Sequence, residues 1–260
     1  MTFKSIPEAA KRYGFILEGL GAHSSRTIMV AELSMLLASC SLSALPKDYA
    51  IAAVDENVLL KQTEATRRKS LRYLRELYSL DRQGVIFRSL REMWNQDLRA
   101  QPMLALLCAL ARDPSLRNTA SIILQAEQGA EVTSQALASS IIGRQGHTLN
   151  QTTLAKIGRN TASSWTQSGH LQGRTHKVRV TAPSHPASVA YALFLGYLCG
   201  SRGEALFHTD WAQLLDTPFD SLHEQAFLAS QQGWLDYRHA GAVTEIGFSY
   251  LLRTGIGADE

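Results

Sequence analysis

The sequence predicts a mainly α fold: an N-terminal helical bundle over residues 1–130, then a winged helix-turn-helix-like region and a C-terminal helical region with a small β-hairpin over residues 131–260. Three observations predict it. Apolar residues in the first half recur at three- and four-residue spacing, with no strand-like alternation of any length. The chain changes character after Gly143, where short helical segments are followed by two stretches that read as hairpins, HLQGRTHKVRV and GWLDYRHAGAVTEIGF. Its charges are also sharply segregated along the sequence.

A chain of 260 residues with 45% hydrophobic composition can bury a sizeable core, in one large domain or two smaller ones. Cys40, Cys108 and Cys199 are odd in number, widely spaced and set in apolar surroundings, which predicts reduced thiols in a cytoplasmic protein and neither a disulfide framework nor a zinc site. The opening MTFKSIPEAAKRYGF lacks the apolar core of a signal peptide. A membrane span needs about 20 apolar residues. The apolar runs PMLALLCALA (102–111) and VAYALFLGYLC (189–199) are shorter and end at charges or at Gly200-Ser201-Arg202, so both read as core helices and no membrane partner is expected.

In order along the chain, residues 26–41 read as a helix and a short one follows Pro46 at about 47–53. Thr63 can cap a helix running to about Leu80, with Leu71, Leu74, Leu77 and Tyr78 on its core face. A second stripe of this helix carries Arg68, Arg72 and Arg75, and residues 61–91 hold nine basic residues against Glu64, Glu76 and Asp81. This face reads either as phosphate-contacting or as a solvated helix face paired with glutamates. Further helices are expected at 84–97, 101–112, 115–127 and 131–143.

The central segment is the most unusual. Residues 132–203 carry seven Lys/Arg and no acid, whereas residues 204–260 hold nine acids against Arg238 and Arg253. A surface that meets polyanion would exclude carboxylates in this way. Within it, residues 148–158 read as a short helix, Gly158 as a tight turn, and Asn160 or Thr161 as the cap of a second helix, TASSWTQS, anchored by Ala162 and Trp165 and ended by Gly169. Its other face would present Thr161, Ser163, Ser164 and Gln167. The following hairpin, turning at Gly173-Arg174-Thr175, would point Lys177 and Arg179 outward and Val178 and Val180 inward. Small hydrogen-bonding side chains can approach base edges closely, and basic wing residues can hold phosphates. The expected nucleic-acid contacts are therefore Asn160, Thr161, Ser163, Ser164 and Gln167 at the groove, with Arg159, Arg174, Lys177 and Arg179 on the backbone, extended by Arg68, Arg72 and Arg75.

The last part begins with a helix at about 184–199, then a short helix capped by Thr209, then SLHEQAFLASQQ as another. The second hairpin turns at His239-Ala240-Gly241-Ala242 and carries Asp236 and Glu245 where the first carries Lys177 and Arg179. It reads as an acidic docking surface, for a basic partner or for the protein's own basic region.

The stretch ENVLLKQTEATRRKSLRYLRELYSLD (56–81), followed by FRSLREMWNQD (87–97) and LALLCALARDPSLR (104–117), with the later helix-turn-helix-like segment, resembles the BrxA family of bacteriophage exclusion (BREX) systems. The resemblance spans most of the chain and rests on a pattern of Asn57, Leu60, Thr63, Thr66, Arg67, Arg75, Leu77 and Tyr78, none of them a catalytic signature. It implies a mostly helical, non-enzymatic DNA-binding component working beside larger defence-system proteins. An inner-membrane label has also been attached to members, which the segment lengths here oppose.

Enzyme signatures do not surface. No HxxxH or HExxH spacing, GxSxG, GxxxxGK[ST] or GxGxxG occurs, and His208-Thr209-Asp210 is at most a two-ligand fragment. Neither a metal nor a cofactor is expected. The alternatives to duplex-DNA binding are an interaction adaptor within a defence complex and an antitermination-like RNA binder.

Overall fold

The computed structural model describes residue 3 and residues 6–142, 149–241 and 243–253. Gly143 and Arg144, at the change of character read in the sequence, lie outside the described residues, as does Ala242 of the second hairpin turn. The chain is mainly helical, with two small antiparallel hairpins.

The first half is built from α1 (Val30–Ser39), α2 (Pro46–Ala50, continued by a π turn at Ile51–Asp55), α3 (Glu64–Tyr78), α4 (Val85–Trp94), α5 (Gln101–Arg112) and α6 (Pro114–Gln125). Each follows its sequence pattern. Thr63 caps α3 by accepting from the Thr66 N–H, and Leu71, Leu74, Leu77 and Tyr78 form its buried stripe. Asp113 caps α6, where Pro114 occupies a first-turn position that needs no N–H donor. The apolar run in α5 is buried on every side, as a helix at the centre of a bundle must be.

Then come α7 (Ser134–Ser139), α8 (Gln151–Gln167), the strands β1 (Leu171–Gln172) and β2 (Val178–Arg179), α9 (Pro186–Leu198), α10 (Asp210–Gln213) and α11 (Phe219–Gln231). The chain ends in β3 (Asp236–Ala240), β4 (Val243–Gly247) and α12 (Ser249–Leu252). In the first hairpin Leu171 pairs with Arg179, and in the second Arg238 pairs with Glu245. Like α5, α9 is buried all round, and it packs on α4, α5, α10 and α11. Its Tyr191 hydroxyl donates to the Ile86 carbonyl across 3.0 Å, so one core runs through both halves of the sequence. Among the described residues no helix is long and apolar enough to cross a membrane.

Two adjacent helices were expected around Gly158; the structure has one. α8 runs unbroken from Gln151 to Gln167, capped by Asn150, whose side chain accepts from the Thr153 N–H at 2.8 Å. Gly158 is not a turn but a contact point. A Cβ there would clash with the Ser134 carbonyl of α7, so the missing side chain lets the two helices meet backbone to backbone. Asn160 and Thr161 are consequently mid-helix residues and not caps. The end of the helix follows the sequence reading, at Ser168 and Gly169, where His170 N–H returns to the Trp165 carbonyl.

Candidate nucleic-acid interface

The outward stripe of α3 forms the wall of a cleft of about 700 Å³. Arg68, Arg72, Arg75 and Arg112 line it together with Asp55 and Glu76, over an apolar floor that includes Ile16, Ile51 and Leu71. The arginines are occupied to different degrees. Arg68 is paired with Glu64 one turn back at 2.6 Å, as the solvated-face reading anticipated. Arg112 is mostly spent on backbone carbonyls, with 2.8 Å to Gly14 O and 3.1 Å to Glu76 O. Arg75 holds the Pro46 carbonyl at 3.0 Å, and Arg72 lies over the Tyr73 ring at 4.7 Å. Among the described residues neither Arg72 nor Arg75 has a carboxylate partner.

Burial opposes ionisation of Tyr73, yet hydrogen bonds with Ser25 and Arg72 and the charges of Arg72 and Lys69 bring its pKa below the ordinary tyrosine value. Burial raises the carboxyl of Glu76, against the pull of Arg72. Farther along, α4 turns more cations toward a second hollow of about 240 Å³, lined by Ser43, Arg82, Arg88, Arg91, Glu92 and Arg253. Arg253 grips Glu92 at 2.6 Å, and Arg91 is buried with one nitrogen on the Leu37 and Cys40 carbonyls. The sequence signal for this cluster is the basic excess of residues 61–91, which reading α3 alone left unused.

The residues expected to read bases are placed differently. Ser164 and Thr161 are fully buried. Thr161 bonds back to the Ile157 and Gly158 carbonyls, the Asn160 amide donates to His23 O at 2.8 Å, and the Gln167 amide donates to Thr27 Oγ1 at 3.0 Å. Ser163 is half-buried. Residues 22–30 of the same chain lie along Asn160, Ser164 and Gln167, so much of this side of the expected recognition helix is an internal interface, with Gln167 at its exposed end. Tyr78 on α3 holds the same segment by donating to the Ile28 carbonyl.

At the centre of that interface lies a Ser-His-Asp chain. Asp113 Oδ2 is 2.7 Å from His23 Nδ1, and His23 Nε2 is 2.8 Å from Ser164 Oγ. The geometry matches a nucleophilic triad, but its surroundings do not. Ser164 Oγ also accepts from Ile28 N–H at 3.0 Å and lies 2.9 Å from the Asn160 carbonyl, and all three side chains are buried. Burial opposes ionisation of Asp113, but the charge and hydrogen bond of His23, with the N–H groups of Leu116 and His23, keep its carboxyl below the ordinary aspartate value. The network fastens residues 22–30 to α6 and α8.

The first hairpin also departs from expectation at Arg179. Cross-strand register puts Arg179 opposite Leu171, and both are buried. The guanidinium forms a two-pronged pair with Asp216, at 2.7 and 2.5 Å, and donates to the Ile123 and Val180 carbonyls. An acid from the acidic C-terminal segment therefore neutralises a base from the acid-free segment, while Asp236 and Glu245 of the second hairpin lie beside Ser249 and Arg238 of their own region. Val178 is half-buried, and Lys177 Nζ rests on Thr166 Oγ1 at 2.8 Å and on the Gly173 carbonyl. Arg159 and Arg174 remain exposed. Of the twelve expected contact residues, the structure thus gathers Arg68, Arg72 and Arg75 at one cleft, buries Thr161, Ser164 and Arg179 in the protein's own packing, and ties the half-buried Asn160 and the exposed Gln167 to residues 22–30 by hydrogen bonds.

No protein-family model matches this chain, and no curated protein sequence matches it.

Proposed function

We propose that this chain is a cytoplasmic, non-enzymatic nucleic-acid-binding protein that holds the phosphate backbone of duplex DNA through the arginine face of α3. Its setting is that of a BrxA-like component of an anti-phage defence system, acting beside other defence proteins. The observation that carries the reading is the cleft wall of Arg68, Arg72 and Arg75, in which, among the described residues, neither Arg72 nor Arg75 is in contact with a carboxylate. Guanidinium forks in that state match phosphate oxygens two at a time. Arg159 and Arg174, exposed in the acid-free segment, add phosphate contacts. With Thr161 and Ser164 of α8 buried, what remains is chiefly a backbone-holding surface, and such binding is weakly selective for sequence.

The test is a gel-shift or anisotropy titration of the whole protein against duplex DNA, single strands and RNA at two salt concentrations. Affinity for duplex should fall with salt with a slope of about −0.9 per phosphate engaged. Arg72→Glu with Arg75→Glu should weaken binding by about tenfold or more, equivalent to about 1.4 kcal/mol. Unchanged affinity in that pair would remove α3 from the mechanism, and preference for RNA would transfer the same surface to the other polymer.

A specific feature favours the adaptor as a second reading. α11 leaves Phe227 and Leu228 about half exposed, at 50% and 47%. Absence of any nucleic-acid affinity at low salt would leave this reading standing.

A further inference from the structure

Away from the basic cleft, three side chains from three elements converge at the C-terminal end of the fold. Glu204 comes from the 3-10 turn Gly203–His208, His223 from α11 and His239 from β3. Each offers one ligand atom, and the three atoms lie within 4.8 Å of one another. We propose that Glu204, His223 and His239 form a divalent-metal site, with zinc as the ion its donors suit best.

The hydrogen bonds around the three residues favour a metal over a self-sufficient polar cluster. Among the described residues His223 Nε2 is buried without a well-aligned hydrogen bond, and its contact with Glu204 Oε1 is a long one of 3.5 Å. A buried ring nitrogen without a partner costs free energy unless something occupies its lone pair. Two ligands each about 2.0–2.2 Å from a tetrahedral ion stand roughly 3.4 Å apart, so the His223–Glu204 separation is already that of two ligands on one zinc. The third ligand, His239, is exposed and stands within 4.8 Å of the other two.

The opposite side of each ligand is held in the manner that metal sites require. His223 Nδ1 is 2.6 Å from the Tyr237 hydroxyl. His239 Nδ1 is 2.9 Å from Thr244 Oγ1, and the Thr244 hydroxyl donates to Glu204 Oε2. A hydroxyl has one proton; once it is given to the carboxylate, Thr244 can only accept from His239. That places the histidine proton on Nδ1 and leaves Nε2 with a free lone pair. Thr244 thus orients two ligands at once, the outer-shell role that fixes ring orientation and tautomer. Stacking of His223 on Phe207, with centroids 3.9 Å apart, fixes the remaining ring.

Two imidazoles and a carboxylate are a zinc-type donor set, with the fourth tetrahedral position left to water. The ion would tie the second hairpin to α11 and to the turn before α10. The sequence conceals the set, because His223 and His239 are separated by the helix-to-strand connection and Glu204 precedes both.

The experiment uses the full chain stripped with a chelator and titrated with zinc in competition with a chromophoric chelator, with cobalt as a spectroscopic probe. One equivalent of zinc should bind, the cobalt form should show tetrahedral ligand-field absorption, and zinc should raise the thermal midpoint. His239→Ala, at an exposed position that does not endanger folding, should abolish all three signals. Thr244→Val should weaken zinc about 10- to 100-fold while keeping the ligands. His176→Ala, at an exposed histidine elsewhere, should change nothing. Absence of stoichiometric binding, or zinc held as tightly by His239→Ala as by the parent, overturns the site.

Discussion

Helix α3 and the α8–hairpin segment carry the same kinds of basic and polar side chains, yet the fold turns one outward and the other largely inward. In α3 the arginine stripe is opposite the core stripe of the same helix, and both are set by a single period. In α8 much of the polar stripe lies against residues 22–30, and in β2 Arg179 is drawn into a buried pair with Asp216. The difference teaches that a run free of acids does not make its bases available. Availability depends on whether a carboxylate or carbonyl elsewhere in the chain has already claimed them.

The largest effect that can break this comparison is at Arg179. Removing the guanidinium by Arg179→Ala leaves Asp216 as an uncompensated buried charge and frees the carbonyls of Ile123 and Val180. Such one-sided deletions cost about 3–5 kcal/mol. In a chain of this length that is a fall of roughly 10 °C in melting midpoint. Arg72→Ala should change stability by no more than about 0.5 kcal/mol. Urea unfolding of the two variants side by side measures the contrast; equal destabilisation would mean that the two bases are equally structural.

Acid tests the same inward-facing region next. Burial pushes His170 down to about 4, although Asp216 and the Leu214 carbonyl pull the other way. Its Nε2 is 2.8 Å from the Leu214 carbonyl and its Nδ1 2.9 Å from Ser168 Oγ. In the unfolded chain a histidine takes its proton near 6.5. Between about 6.5 and 4 the unfolded state therefore binds the extra proton and the folded state does not, so stability is full above 6.5 and declines as the pH falls toward 4. At about 1.4 kcal/mol per pKa unit, the loss is a few kcal/mol. Asp113, held below its ordinary value, adds a further loss only at lower pH, as it protonates. His170→Gln should flatten the first part of the curve in pH-dependent denaturation, while an unchanged curve would assign the acid sensitivity elsewhere.

How far the sequence disclosed this arrangement depends on the range of the interaction. Thr63, the α3 stripe, the Pro114 start of α6, the buried α5 and α9 and the existence of two antiparallel hairpins follow from neighbours a few residues away, and the structure has them; the second hairpin keeps His239 and Ala240 in strand β3, whereas the sequence pattern places them in the turn. The covering of α8 depends on His23, Thr27 and Ile28, more than 130 residues earlier, and the pairing of Arg179 on Asp216, 37 residues later. Small hydroxyl and amide side chains that can approach a base equally allow a backbone segment to lie against them. Gly158 is ambiguous for the same reason, since a glycine serves a turn and a close helix crossing alike.

That ambiguity supplies a smaller test. On an exposed helix Gly→Ala is a gain of roughly 0.5–1 kcal/mol. Gly158→Ala should instead lose about 1–3 kcal/mol, because the new methyl meets the Ser134 carbonyl and forces α7 and α8 apart. A stabilised variant would show that α7 and α8 do not cross at this point.

The smallest expected effect sharpens what α3 offers. Arg72→Lys with Arg75→Lys preserves both charges but removes the planar forks, so stability should stay within about 0.5 kcal/mol of the parent. The salt dependence of DNA binding should also be kept, since it counts the phosphates neutralised and not the geometry of each contact. Affinity should fall only a few-fold, much less than for the double glutamate variant. A fall as large as the glutamate pair would mean that two-pronged geometry, and not charge, provides most of the contact; no fall at all would reduce the α3 face to a simple electrostatic track.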